Sequence, residues 1–192
     1  MTNGFSRSFE PIADRNAVVL ILGSMPGQES LKAGRYYAHP RNQFWRIMGM
    51  LLGFEPDAAY DDRMAALQAA GIALWDVMHS CRRIGSLDAR IEPDSITAND
   101  FGAFFQGHPG IRSIFFNGAK AEVAYRQHVL PTVNTRPIGY ERLPSTSPAH
   151  AAKSLAEKLE AWRAVLGASR AFPPPVASGE FDKRRQEAGS AS

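Results

Sequence analysis

Apolar residues recur along this chain in two rhythms. Residues 17–22 are an unbroken apolar run, Ala-Val-Val-Leu-Ile-Leu, which predicts a strand covered on both faces, as in a parallel sheet. From Phe44 the rhythm changes. Phe44, Ile47, Met48, Leu51 and Leu52 follow helical spacing, and Gly53 is placed to end that helix. A second helix over 59–70 turns Met64 and Leu67 inward and stops at Gly71. Short strands are expected at 72–75, with Asp76 at the carboxyl end, and at 111–116 and 137–143. Asp100 caps a short helix reaching about Phe104, and another helix covers 119–129. Pro148 suits the first position of the last helix with Ser147 as its cap, and Leu155, Leu159, Trp162 and Leu166 form that helix's core stripe. Residues 79–93 are polar and without period, which predicts a long loop, functional or mobile.

Alternating strands and helices predict an α/β fold, a three-layer α/β/α sandwich with a central, mainly parallel four-stranded sheet. The catalytic or binding domain should occupy 1–167. Beyond Gly167 the chain turns to proline, serine, glycine and charge, so 168–192 is expected to be a disordered tail.

Composition narrows the class. With 192 residues and 44% hydrophobic content the chain can bury one core. The single cysteine, Cys81, supplies neither a disulfide nor a cysteine cluster for zinc or iron–sulfur, and suits a reducing cytoplasm. No apolar run approaches the ~20 residues of a membrane span, and residues 1–11 lack a signal-peptide core. The net charge of +3 is only mildly basic. Its placement says more: between Gln28 and Met50, Lys32, Arg35, Arg41 and Arg46 face Glu29 alone, beside several aromatics. Such a patch fits a phosphate backbone with stacked bases.

Immediately after the first strand stands Gly23-Ser24-Met25-Pro26-Gly27, followed by Tyr36-Tyr37-Ala38-His39-Pro40-Arg41-Asn42. A turn there lies at the carboxyl edge of the sheet, where open α/β sheets keep their ligands. The turn is no nucleophile elbow, Walker loop or dinucleotide fingerprint, because the required serine, lysine and glycine positions are absent. The five histidines show no metal-ligand spacing. A site with neither strong base nor metal remains, and base excision from DNA can run on aimed dipoles and base extrusion alone.

These motifs resemble the uracil-DNA glycosylase superfamily, and most closely its branch of DNA-deoxyinosine (hypoxanthine-DNA) glycosylases. The resemblance runs from about Pro11 to Leu166 and includes Leu74-Trp75-Asp76-Val77. It implies hydrolysis of the N-glycosidic bond of deoxyinosine to an abasic site, without cofactor or metal. With no lysine expected in the pocket, strand cleavage is not expected either. Met25 stands where other branches place a water-positioning Asn or Asp, so that role falls by resemblance to Asn42, which could equally cap the helix after it. Ser24, Met25, Pro26 and Gly27 would border the base, Tyr37 would stack on it, Asp76 would accept from its edge, and Asn117 would line the pocket. Asp76 could instead pair with Arg82 or Arg83. Arg41, with Ser145, Thr146 and Ser147 of 143–149 in the place of the second signature loop and His150 joining them, would hold DNA. The expected partner is DNA with deaminated bases, bound by a monomer in the cytoplasm and not at a membrane. The rival readings are excision of uracil or another deaminated base, and a non-catalytic nucleic-acid-binding module on the same fold.

Overall fold

The computed structural model describes residues 4–85, 87–133 and 138–171. Its centre is a sheet of four parallel strands: β2 (Val19–Gly23), β3 (Ile72–Asp76), β6 (Ser113–Asn117) and β7 (Gly139–Leu143). The spatial order is β3-β2-β6-β7. Val19 pairs with Ile72 on one side and with Ser113 on the other, which makes β2 a central strand. Every residue of β2 is buried, as the unbroken apolar run requires.

Helices cover both faces. On one, Trp75 packs on Phe101 and Phe104 of α4 (Phe101–Gly107), while Phe116 meets Tyr125 of α5 (Ala119–His128). On the other lie α2 (Phe44–Leu52), α3 (Tyr60–Ala69) and α6 (Leu155–Ala171). Phe44 of α2 meets Trp162 of α6 edge-on at 5.7 Å, and Trp45 meets Tyr60 of α3. Asp100 caps α4 by accepting the Ala103 amide, and that helix runs to Gly107, one turn beyond expectation. Among the described residues no helix is long and apolar enough to cross a membrane.

The structure corrects the sequence reading in four places. Residues 79–93 are not a plain loop. β4 (Met78–Arg82) follows β3 after a single residue and lies antiparallel between β1 (Phe5–Arg7) and β5 (Thr97–Ala98) in a second, three-stranded sheet. Its mixed burial leaves no period-two signal. A six-residue helix, α1 (Gln28–Ala33), also went unforeseen, being too short to show periodicity. The last helix begins at Leu155, not at Pro148. Ser154 and Glu157 form a reciprocal capping box there: the Ser154 amide donates to Glu157 and the Glu157 amide to the Ser154 hydroxyl. That Ser-x-x-Glu signal was in the sequence and outweighs the Ser-Pro pair. Finally, α6 continues through Gly167 to Ala171, with Ser169 buried, so 168–171 belong to the folded domain. The rest of the expected tail, 172–192, and Pro137 lie outside the described residues.

Trp162 joins core and site. Its ring is fully buried, and its indole N–H donates to the Pro144 carbonyl at 3.0 Å, in the loop after β7. Trp162→Ala is expected to lower unfolding free energy by about 3–5 kcal/mol in urea titrations, since it leaves a large cavity and an unpaired carbonyl.

Candidate active site

The carboxyl ends of β2, β3, β6 and β7 open into one cleft of about 390 Å³. Its walls include the turn 23–27, Tyr37, Asn42, Asp76, Asn117, the segment 145–150, and Asp88 from the stretch after β4. All the expected site residues except Arg41 are therefore brought to one place. Arg41 lines an adjoining depression that shares Tyr36, Tyr37, His39 and Asn42 with the cleft.

Tyr37 is held in an uncommon backbone state. It is the one described non-glycine residue with positive φ, at +54°. One face of its ring stacks on Phe44, with centroids 4.1 Å apart and planes at 24°. Its hydroxyl accepts from the Asn117 amide at 3.0 Å. Tyr37 also lines the cleft.

Asn117 uses its amide on the protein. Its Nδ2 donates to Tyr37 and, at 2.9 Å, to the Thr146 hydroxyl, while its Oδ1 accepts the Thr146 amide at 2.8 Å. It borders the cleft as a brace and has little left for a base. Thr146 is likewise not a phosphate contact. It is fully buried, and its carbonyl accepts the Gln43 amide, which ties the second loop to the start of α2. Ser145 and Ser147 remain partly exposed and His150 exposed. Each serine oxygen accepts a backbone amide (from Ser147 and Ala149 respectively), so each O–H is free to donate outward. Lys158, almost wholly buried, anchors this loop by donating to the His150 carbonyl at 2.8 Å.

Asn42 makes the backbone bond that one reading of its sequence position called for, and it stands in the cleft wall. Its Oδ1 accepts the Phe44 amide at 2.9 Å, an N-terminal cap for α2, and the residue also lines the cleft. With Oδ1 engaged, the side-chain N–H₂ is the group it can offer inward.

The chain matches the model of the Uracil DNA glycosylase superfamily over residues 10–166. It belongs to that superfamily. It is also similar to the Hypoxanthine DNA glycosylase of Methanosarcina acetivorans, 38% identical over 163 residues, covering 83% of this chain and 97% of the relative. A Methanosarcina barkeri protein of the same name is 37% identical over 116 residues, covering 60% of this chain and 72% of the relative. The solution NMR structure of a candidate uracil DNA glycosylase from Methanosarcina acetivorans superposes with a TM-score of 0.69 at 34% identity, over 86% of this chain and 99% of that one.

The electrostatics of this glycosylase fold centre on Asp76. It pairs with neither Arg82 nor Arg83, its Oδ2 is buried without a hydrogen-bond partner among the described residues, and it lines the cleft. Arg82 instead pairs with Glu92 at 3.8 Å. Arg83, buried, donates to the Pro26 carbonyl and lies 3.7 Å from Asp88. The Ser24 hydroxyl is given to Asp88 as well, at 2.5 Å. Burial, with the Asp88 charge adding to it and Arg83 opposing, pushes the Asp76 carboxyl up to about 8. The shift favours the protonated carboxyl, which can donate as well as accept, where the sequence suggested an acceptor only. Asp88 too is raised by burial, against the opposing Ser24 hydrogen bond and the charges of Arg83 and Lys120. Asp88 and Lys120 were missed by sequence reasoning, which offered Arg83 only as a partner for Asp76. Lys120 in fact lines the cleft, which corrects the expectation of a pocket without lysine.

Gly23 is obligatory here. A Cβ on it would lie 2.3 Å from Asp76 Oδ1 and 3.1 Å from the Tyr37 hydroxyl. Among the described residues no group of three or more His, Cys, Asp or Glu comes together as a metal site.

A carboxyl whose pKa is raised on folding favours the folded state below its unfolded value of about 3.9, and that advantage is lost as pH climbs through the folded value. Stability relative to the Asp76→Asn variant should therefore fall between about pH 4 and pH 8 and level off above. Urea midpoints of the two proteins across that range test it, and parallel curves would refute the neutral acid.

Proposed function

We propose that this chain is a hypoxanthine DNA glycosylase, which hydrolyses the N-glycosidic bond of deoxyinosine in DNA and leaves an abasic site. The observation that carries the reading is the juxtaposition in one cleft of Tyr37, stacked on Phe44, Asp76, buried with an unpaired oxygen, and Asn42. The relatives' names point the same way.

In this reading the target nucleotide leaves the duplex and its base lies on Tyr37, a stacking contact worth about 1–3 kcal/mol against an extrusion cost of a few. Hypoxanthine presents an N1–H beside a C6 carbonyl. A neutral carboxyl at Asp76 matches both at once, accepting from N1–H and donating to O6. Uracil offers a similar N–H and C=O pair, so this contact reads deamination more than base size. Ser24 and Arg83 hold Asp88 behind it, which keeps that second carboxylate from turning on the base.

As the C1′–N9 bond breaks, its electron pair passes to the base and the sugar gains oxocarbenium character. The Asp76 proton, hydrogen-bonded to O6, stabilises the charge growing there. Asn42 directs a water at C1′ through its N–H₂. The new C1′–O bond completes the abasic site, and the water's surplus proton passes by way of solvent to the departing base, which leaves neutral. Met25 opposite can only exclude bulk water. Ser145, Ser147 and His150 hold phosphates at the rim, and the protein acts as a monomer.

Asn42→Ser separates catalysis from capping, because serine caps nearly as well as asparagine but lacks the amide donor. Single-turnover excision from inosine-containing duplex should fall by about 10²–10³ with the thermal midpoint little changed. An Asn42→Ser protein that excises hypoxanthine at the wild-type rate contradicts the assignment. A wild type that releases uracil but not hypoxanthine from a panel of duplexes would select the uracil alternative.

A further inference from the structure

We propose that the arginine-lined depression beside the cleft is a seat for backbone phosphates of the DNA strand whose nucleotide enters the cleft. The proposal rests on reading that cleft as the base site. The depression encloses about 560 Å³. Arg35, Arg41, Arg46 on α2 and Arg63 on α3 all line it, and no acidic residue does. The sequence placed Arg35, Arg41 and Arg46 near one another. Arg63, on a different helix, joins them only in the fold.

Two of these guanidiniums are arranged as a clamp. Arg35 and Arg63 both approach the ring of Tyr60, at 5.3 and 5.5 Å, and Arg63 also lies 4.9 Å from the centre of Trp45. A guanidinium resting against a ring keeps its in-plane N–H groups for another partner, and paired N–H groups match phosphate oxygens. Arg63 uses one nitrogen on the Pro56 carbonyl at 3.3 Å, and its buried Nε has no hydrogen-bond partner among the described residues. None of the four arginines forms an ion pair among those residues. Burial lowers the Arg63 pKa and the Arg35 charge adds to that, while Tyr60 and Asp57 oppose it. Four like charges around a hollow without a lining carboxylate repel one another, and an anionic occupant relieves the repulsion.

Continuity chooses the occupant. The depression and the cleft share Tyr36, Tyr37, His39 and Asn42 as a common wall. A strand whose base enters the cleft can lay a flanking phosphate across that shared wall. The serines of the second loop lie on the cleft side. The two groups together would grip one strand on either side of the extruded base.

The test measures affinity for undamaged DNA, so it stays readable even if excision of hypoxanthine is never observed. Fluorescence anisotropy with single-stranded and duplex oligonucleotides, at stepped salt, gives the slope of log K against log salt. Arg35 and Arg46 are exposed, so Arg35→Ala, Arg46→Ala and the double variant should keep the wild-type thermal midpoint. Each single change should reduce the slope by about 1, and the pair by about 2. Arg163→Ala, which removes an arginine paired with Glu160 and lining neither depression, is the control for net charge. A double variant whose slope matches this control overturns the proposal, whatever the enzyme does to inosine.

Discussion

Tyr37 adopts a backbone conformation that an aromatic residue normally avoids, and the site depends on that choice being enforced. The left-handed region costs a non-glycine residue on the order of 1–3 kcal/mol. Against it stand the stack on Phe44, worth about 0.5–1.5 kcal/mol beyond buried area, and the hydrogen bond from Asn117, worth about the same. These offset the cost only while Phe44 and Asn117 are themselves immobile. Phe44 is fixed by burial against Trp45 and Trp162. Asn117 is fixed by its place at the end of β6 and by three hydrogen bonds. Two layers of the fold therefore converge on the orientation of one ring.

The same economy governs Asp76. A buried carboxyl at the end of β3, unpaired and beside a second carboxylate, is costly to ionise. The small antiparallel sheet bears on it directly. Asn99, just beyond β5, donates to the Asp76 carbonyl at 2.8 Å, and the Val77 and Met78 amides bond to Gly23 and Ser24. The stretch after β4 then brings Arg83 and Asp88 over the turn at 23–27. What looked like a polar loop thus holds the first signature turn, through Arg83 on the Pro26 carbonyl and Asp88 on Ser24, and its two charges act on Asp76.

Much of this was legible in the sequence because it rests on strong local signals. An all-apolar run can be satisfied only in a covered strand, the Phe44–Leu52 spacing admits only a helix, and both were seen in their places. The residues of the cleft were legible through their motifs, which sit at strand ends. Hidden from sequence were effects of burial and of partners distant in the chain. Thr146 resembles a phosphate donor until its hydroxyl is found fully enclosed beneath Asn117. Asp76 resembles a simple acceptor until its desolvation is known. Asp88 and Ser24 are 64 residues apart. Lys120 belongs to a helix whose first turn carried no motif.

The central claim is geometric: a flipped hypoxanthine lies on the ring of Tyr37 with its N1–H and O6 edge at Asp76. A crystal structure of the protein with a duplex containing 2′-fluoro-2′-deoxyinosine, which resists hydrolysis, measures it directly. The account predicts the base stacked on Tyr37 opposite Phe44, both edge atoms within hydrogen-bond distance of Asp76, and a water between Asn42 and C1′. A base lodged outside the cleft, or one that reaches it with Asp76 turned away and unbonded, would contradict it.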